Sequence, residues 1–122
     1  MRDAYIVTAR RTPGCKQRKG AFKDTRPEDL LGFILDAAVS ATPGLEKKDV
    51  EDLMIGCSFP EAEQGLNIGR IVSQIAGFPT ETSGATINRF CASGLEAIAQ
   101  ACLRVMSGWS DIVIGGGVEA MT

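Results

Sequence analysis

The stretch "TINRFCASGLEAIAQAC", Thr86 to Cys102, decides how this chain is read. A β-branched, strand-like lead-in ends on Asn88, Arg89 and Phe90, and then comes a cysteine, Cys91. Ala92, Ser93 and Gly94 follow and open a run whose apolar residues (Leu95, Ile98, Ala99, Cys102 and Met106) recur at helical spacing, closed by Gly108. Cys91 therefore falls between the exit of a strand and the first turn of a helix.

Outward from that junction the pattern repeats. "DIVIGGG" reads as a buried strand ending in glycines, and "GATIN" as the strand before Cys91. Upstream, "VEDLMIGCSF" predicts a strand from Leu53 to Ser58, stopped by Pro60. A helix carrying Ile68, Ile71, Val72 and Ile75 on one face follows, with Gly77 at its C′ position. An earlier helix presents Leu30, Leu31, Ile34, Leu35 and Ala38; Thr25 with Glu28 three residues on gives a capping-box pattern, and Pro27 suits the first turn. "AYIVTA" at the start, with Tyr5, Ile6 and Val7, reads as a first buried strand. Strands alternating with helices predict an α/β fold with a mostly parallel, buried sheet and right-handed crossovers.

The chain has 122 residues, room for one domain. At 44% hydrophobic and 23% charged residues it is neither disordered nor membrane-spanning in composition, since no apolar run approaches the roughly 20 residues a span requires. Net charge is −2 but uneven: residues 1–23 hold seven Lys/Arg against Asp3 alone. That basic end reads either as a contact for an anion, such as a phosphorylated cofactor, or as a solvated loop. Basic and aromatic residues are not interleaved, so no nucleic-acid partner is expected. There is no histidine, and Cys15, Cys57, Cys91 and Cys102 form no C-x-x-C pair, so no metal site is expected. Scattered thiols fit a reducing, cytoplasmic compartment.

Cys91 carries the chemistry. The thiolate is the nucleophile, and a free cysteine with a pKa of about 8.5 is only slightly ionised at neutral pH. Unpaired N–H groups and the dipole at a helix N-terminus favour the anion, and the same N–H groups can hold an oxygen that gains charge during attack. Small residues at 92–94 let an acyl chain approach. The other reading is a small buried side chain starting an apolar helix, which is how Cys102 reads; Cys15 and Cys57 read as incidental. "GGGVEAMT" fits no phosphate-loop spacing and is taken as adjacent to the site. Glu61 and Glu63 in "PEAEQG" read as a polar loop.

These blocks together resemble the thiolase family. "NRFCASGLEAIAQA" is similar to the block around the thiolase acyl-accepting cysteine, with the match on Cys91. "RTPGCKQRKGAFKDTRPEDLL", "CSFPEAEQGLNIGRIVSQIAGFP" and "GGGVEAMT" continue the likeness in order along the chain. The resemblance implies transfer of acyl groups between coenzyme A and the Cys91 thiol: cleavage of a 3-oxoacyl-CoA, as in fatty-acid β-oxidation, or formation of acetoacetyl-CoA. It implies no permanently bound cofactor, acyl-CoA and CoA as substrates, and a homo-oligomer formed through the sheet. In this family a histidine and a second, acid–base cysteine come from the C-terminal half, and nothing in this sequence matches either. Residues 1–122 accordingly read as a partial N-terminal domain, the incomplete first half of a thiolase-like fold, ending before the last strand of that half. Alone it is expected to be inactive, with an uncovered sheet flank prone to self-association. Two alternatives stand beside this reading: a related condensing enzyme of the same fold, against which the Cys91 block argues, and a non-catalytic lipid-binding or scaffolding protein of the thiolase fold.

Overall fold

The computed structural model describes residues 1–121. Three parallel strands form the sheet: β1 (Asp52–Gly56), β2 (Ser83–Ile87) and β3 (Val113–Gly117), in the order β2-β1-β3. Helices α1 (Pro27–Ser40), α2 (Ile68–Ile75) and α3 (Ser93–Met106) alternate with them. The register runs Asp52 to Gly56 against Ser83 to Ile87 on one side and against Val113 to Gly117 on the other. All three strands therefore end at the same rim.

Side-chain alternation along β1 divides the core in two. Leu53, Ile55 and Cys57 pack with Leu31, Leu35 and Val39 of α1, Ile68 and Val72 of α2, and Phe78. Met54, one residue out of phase, packs on the opposite face with Ala97 and Ala101 of α3. The layers are thus α1 and α2, then the sheet, then α3. All five β1 residues are buried, as expected of a central parallel strand. β3 is half-buried, with Gly117 exposed, because it is paired on one edge only.

Local signals account for the helix ends. Asn67 caps α2, its Oδ1 accepting from the Arg70 N–H at 3.3 Å, and Gly77 (φ +79°) follows α2 as expected. At α1 the outcome differs. Arg26, not Thr25, is the N-cap, without a side-chain cap bond. The Glu28 carboxylate is taken by the Arg26 guanidinium at 2.7 Å, so it does not complete a capping box.

Three further expectations are corrected. Tyr5, Ile6 and Val7 are not in the sheet and are 80%, 73% and 74% exposed. Their residue types favour a strand, but a strand exists only on a ladder, and residues 1–10 pair with none. Arg2 instead pins this end: its guanidinium donates to the Val105 and Ser110 carbonyls at 2.6 Å and pairs with Asp111 at 2.8 Å, capping the C-terminal end of α3. A cavity of about 900 Å³ lies between the first residues, α1 and β3. Second, β1 stops at Gly56, two residues before the expected Ser58. Third, α3 buries Ser93, Ala97 and Ala101, whereas Leu95 is 73% and Ile98 41% exposed. The helix lies too close to the sheet for larger side chains. A Cβ on Gly115 would come within 2.9 Å of the Ile98 Cα, and one on Gly56 within 2.6 Å of the Ser93 carbonyl.

Candidate functional site

Cys91 is exposed and sits in a single 3₁₀ turn, Phe90–Ala92, between the end of β2 and the start of α3. This is the junction expected from the sequence. Its place is fixed from below by Gly56, on whose bare Cα the first turn of α3 rests.

The turn itself is held by a compact set of hydrogen bonds. The Phe90 carbonyl accepts two hydroxyls, Ser58 Oγ at 2.7 Å and Ser93 Oγ at 2.6 Å. Ser93 Oγ also accepts the Arg89 N–H at 2.9 Å. Asn88 Oδ1 accepts the Phe90 N–H at 2.9 Å, while Asn88 Nδ2 donates to the Ser58 carbonyl at 3.0 Å. Phe90 has φ +47°, a left-handed conformation that costs a residue with a side chain on the order of 1 kcal/mol and persists where surrounding contacts impose it. The Phe59 and Phe90 rings pack 6.4 Å apart across the same loop pair.

Behind this turn stands Glu119, two residues past β3. Its carboxylate accepts the Ser58 N–H at 2.6 Å, the Phe59 N–H at 3.2 Å and the Gln64 amide at 2.9 Å. Gln64 is buried, donates also to the Phe59 carbonyl at 2.7 Å and accepts the Ala120 N–H at 2.8 Å. "GGGVEAMT" is thus structurally adjacent to Cys91, as read, but its glutamate carries the contact. Glu119, Gln64, Ser58, Asn88 and Ser93 were not singled out from sequence. The only available signal was their place just beyond the three strand ends.

The other thiols differ. Cys15 is exposed in the N-terminal loop and Cys102 is half-buried on α3. Cys57 is fully buried, its Sγ 3.9 Å from Glu119 Oε1; burial first, and the nearby carboxylate second, push its thiol up to about 11. The basic N-terminal end forms no assembled site: Arg10 and Arg11 donate only to the neighbouring carbonyls of Ala9 and Thr12. Glu61 is exposed, and Glu63 pairs with Arg26 at 3.1 Å, tying its loop to α1.

With this geometry in view, comparison with known proteins is decisive. Residues 4–122 match the family model described as thiolase, N-terminal domain. The chain belongs to the thiolase family. It is 42% identical over its whole length to the 3-ketoacyl-CoA thiolase of Bacillus subtilis (strain 168), and covers 31% of that protein. Over 98% of its length it is 42% identical to the peroxisomal 3-ketoacyl-CoA thiolase 5 of Arabidopsis thaliana, covering 26% of it. Among solved structures, the crystal structure of the Bacillus anthracis acetyl-CoA acetyltransferase superposes with a TM-score of 0.78 at 36% identity, over 84% of this chain and 25% of that one. This thiolase chain therefore spans about a third or less of the length of these relatives. The expected α/β thiolase fold is present in its N-terminal portion. No described helix is long and apolar enough to cross a membrane.

Proposed function

We propose that this chain is the nucleophile-bearing part of a thiolase-type acyltransferase, with Cys91 as the acyl-accepting thiol. The observation that carries the reading is the exposed Cys91 at the head of α3, on a turn held by Ser58, Asn88 and Ser93. Relatives named 3-ketoacyl-CoA thiolase and acetyl-CoA acetyltransferase suggest coenzyme A thioesters as substrates.

In the cleavage direction the Cys91 thiolate adds to the C3 carbonyl carbon of a 3-oxoacyl-CoA. The C2–C3 bond breaks with its electron pair on C2, a proton supplied to C2 completes acetyl-CoA, and the remaining acyl group stays on Sγ as a thioester. The thiol of free coenzyme A, on losing its proton, attacks that thioester and leaves with the acyl group, restoring the Cys91 thiolate. Dividing the carbon–carbon cleavage through a covalent intermediate is the advantage a thiol brings. Run in reverse with acetyl-CoA, the same steps form acetoacetyl-CoA. The chain contains no histidine, so the proton transfers rely on groups outside these residues, and the 122 residues by themselves are proposed to be inactive. In that reading they are a partial N-terminal domain of a cytoplasmic, homo-oligomeric enzyme that joins through the sheet.

Iodoacetamide labelling, read peptide by peptide by mass spectrometry, tests the nucleophile. Cys15 is an exposed reference, so exposure alone does not favour Cys91. Cys91 is expected to react about tenfold faster than Cys15, the advantage of a stabilised thiolate. Equal rates overturn the assignment and leave the non-catalytic reading. Cleavage of acetoacetyl-CoA by the purified chain with CoA would overturn the proposed inactivity.

A further inference from the structure

We propose that Glu119 is a positioning residue for Cys91, acting through the β1 exit loop; the proposal rests on the reading of Cys91 as nucleophile. The relay crosses all three strand ends. Beyond β3, the Glu119 carboxylate gathers the N–H groups of Ser58 and Phe59 and the side-chain amide of Gln64. Beyond β1, the same Ser58 turns its hydroxyl onto the Phe90 carbonyl and its own carbonyl onto the Asn88 amide. Beyond β2, Asn88 fixes the Phe90 N–H, and the next peptide unit belongs to Cys91.

What is positioned is a plane. The Phe90 carbonyl and the Cys91 N–H belong to one trans, planar peptide unit, so the donors on that carbonyl set where the N–H points. Two hydroxyls, from Ser58 and Ser93, draw the carbonyl inward. The Cys91 N–H must then face the opposite side, and the Cα that carries the thiol follows. Ser93 is part of the same turn and moves with it, so Ser58 is the external anchor. Ser58 in turn is placed by a carboxylate that accepts three donors. Bonds to an ionised acceptor are about twice as strong as neutral ones. Phe90 at φ +47° shows that the turn is imposed by its surroundings. Without the anchor it is expected to relax toward an ordinary conformation.

Gln64 keeps the carboxylate from swinging away. Its amide bridges Glu119 Oε1 and the Phe59 carbonyl, and its oxygen takes the Ala120 N–H, so the segment after β3 is clamped to the loop after β1. Glu119 makes no contact with Cys91 itself; its influence passes through Ser58.

The test uses the 122-residue chain with Glu119→Gln, Glu119→Asp and Ser58→Ala. Two readouts are taken: the iodoacetamide rate at Cys91 relative to Cys15, across pH, and amide hydrogen exchange of the segment 88–94. Glu119→Gln and Ser58→Ala are each expected to slow Cys91 about tenfold relative to Cys15, of the order seen when a reacting group is misplaced. Both should speed exchange in 88–94, and Glu119→Asp should recover part of each effect. Unchanged exchange in 88–94 in both variants overturns the relay whatever the reactivity of Cys91. Faster exchange with an unchanged Cys91 rate relative to Cys15 overturns the positioning role, since the bonds would then be structural only. Ser58→Ala leaves the carboxylate clamp intact and reports on the relay even where a Glu119 variant does not fold. If wild-type Cys91 is no faster than Cys15, the nucleophile reading fails and the positioning proposal falls with it; altered exchange in 88–94 would then describe a structural brace.

Discussion

Cys57 lies fully buried behind the β1 exit, with a carboxylate oxygen 3.9 Å from its sulfur. Burial, and then the Glu119 charge, raise its folded pKa from the ordinary 9.0 to about 11. The protonated thiol therefore favours the fold. Its contribution is complete below about pH 9, where both states hold the proton, and is lost as pH rises toward 11 and the unfolded chain alone ionises. The loss is on the order of 2 kcal/mol. Urea midpoints at pH 8 and pH 10.5 should fall less in Cys57→Ala than in the wild type; equal falls would assign the alkaline sensitivity to other groups. At this scale the sequence announced Cys91 clearly, because a cysteine between strand and helix is a local pattern. Glu119 and Gln64 were not legible, because their meaning lies in contacts between loops some 55 residues apart in sequence.

Among elements, α3 matters most, since its first turn carries the site. The apolar period of "SGLEAIAQACLRVM" correctly marks a helix, but its largest apolar residues mark the wrong face. The sheet is approached at Gly56 and Gly115, where only Ala97 and Ala101 fit between. Sequence reading weighs side-chain size as a sign of burial, whereas here closeness demands small residues. Gly56→Ala should therefore act on the site from below. Its Cβ would meet the Ser93 backbone at 2.6 Å, and backbone cannot turn aside as a side chain can. A cost of roughly 1–3 kcal/mol is expected, as for other overpacked interiors, read as a lower urea midpoint. A slower Cys91 alkylation should accompany it. A midpoint equal to wild type would show that α3 does not rest on Gly56. The N-terminal segment failed as a strand for a related reason. Tyr5, Ile6 and Val7 have the residues for one, but a ladder partner is a property of the sheet, not of the segment.

Over the whole molecule, the parallel sheet has α1 and α2 on one face and α3 on the other, while residues 1–26 are tied on chiefly by Arg2. Removing that tie should free the end without loosening the core. Arg2→Ala is expected to speed trypsin cleavage after Arg10 and Arg11 several-fold, with little change in the urea midpoint. Cleavage at the wild-type rate would mean that the segment is held elsewhere, along the cavity it borders. The layered α/β order and five of the six helix–strand alternations after residue 26 could be read from periodicity, since each rests on its own residues. The free outer edge of β3 could not, because it is defined by what does not pair with it.

Glu119 lies later in the chain than every residue it braces. Synthesis runs from the N-terminus, so Cys91 emerges before the carboxylate that shapes its turn. In time, then, the thiol matures last: during elongation it is an unformed cysteine among others, and its geometry is completed only when the final strand seats and its glutamate closes over the rim.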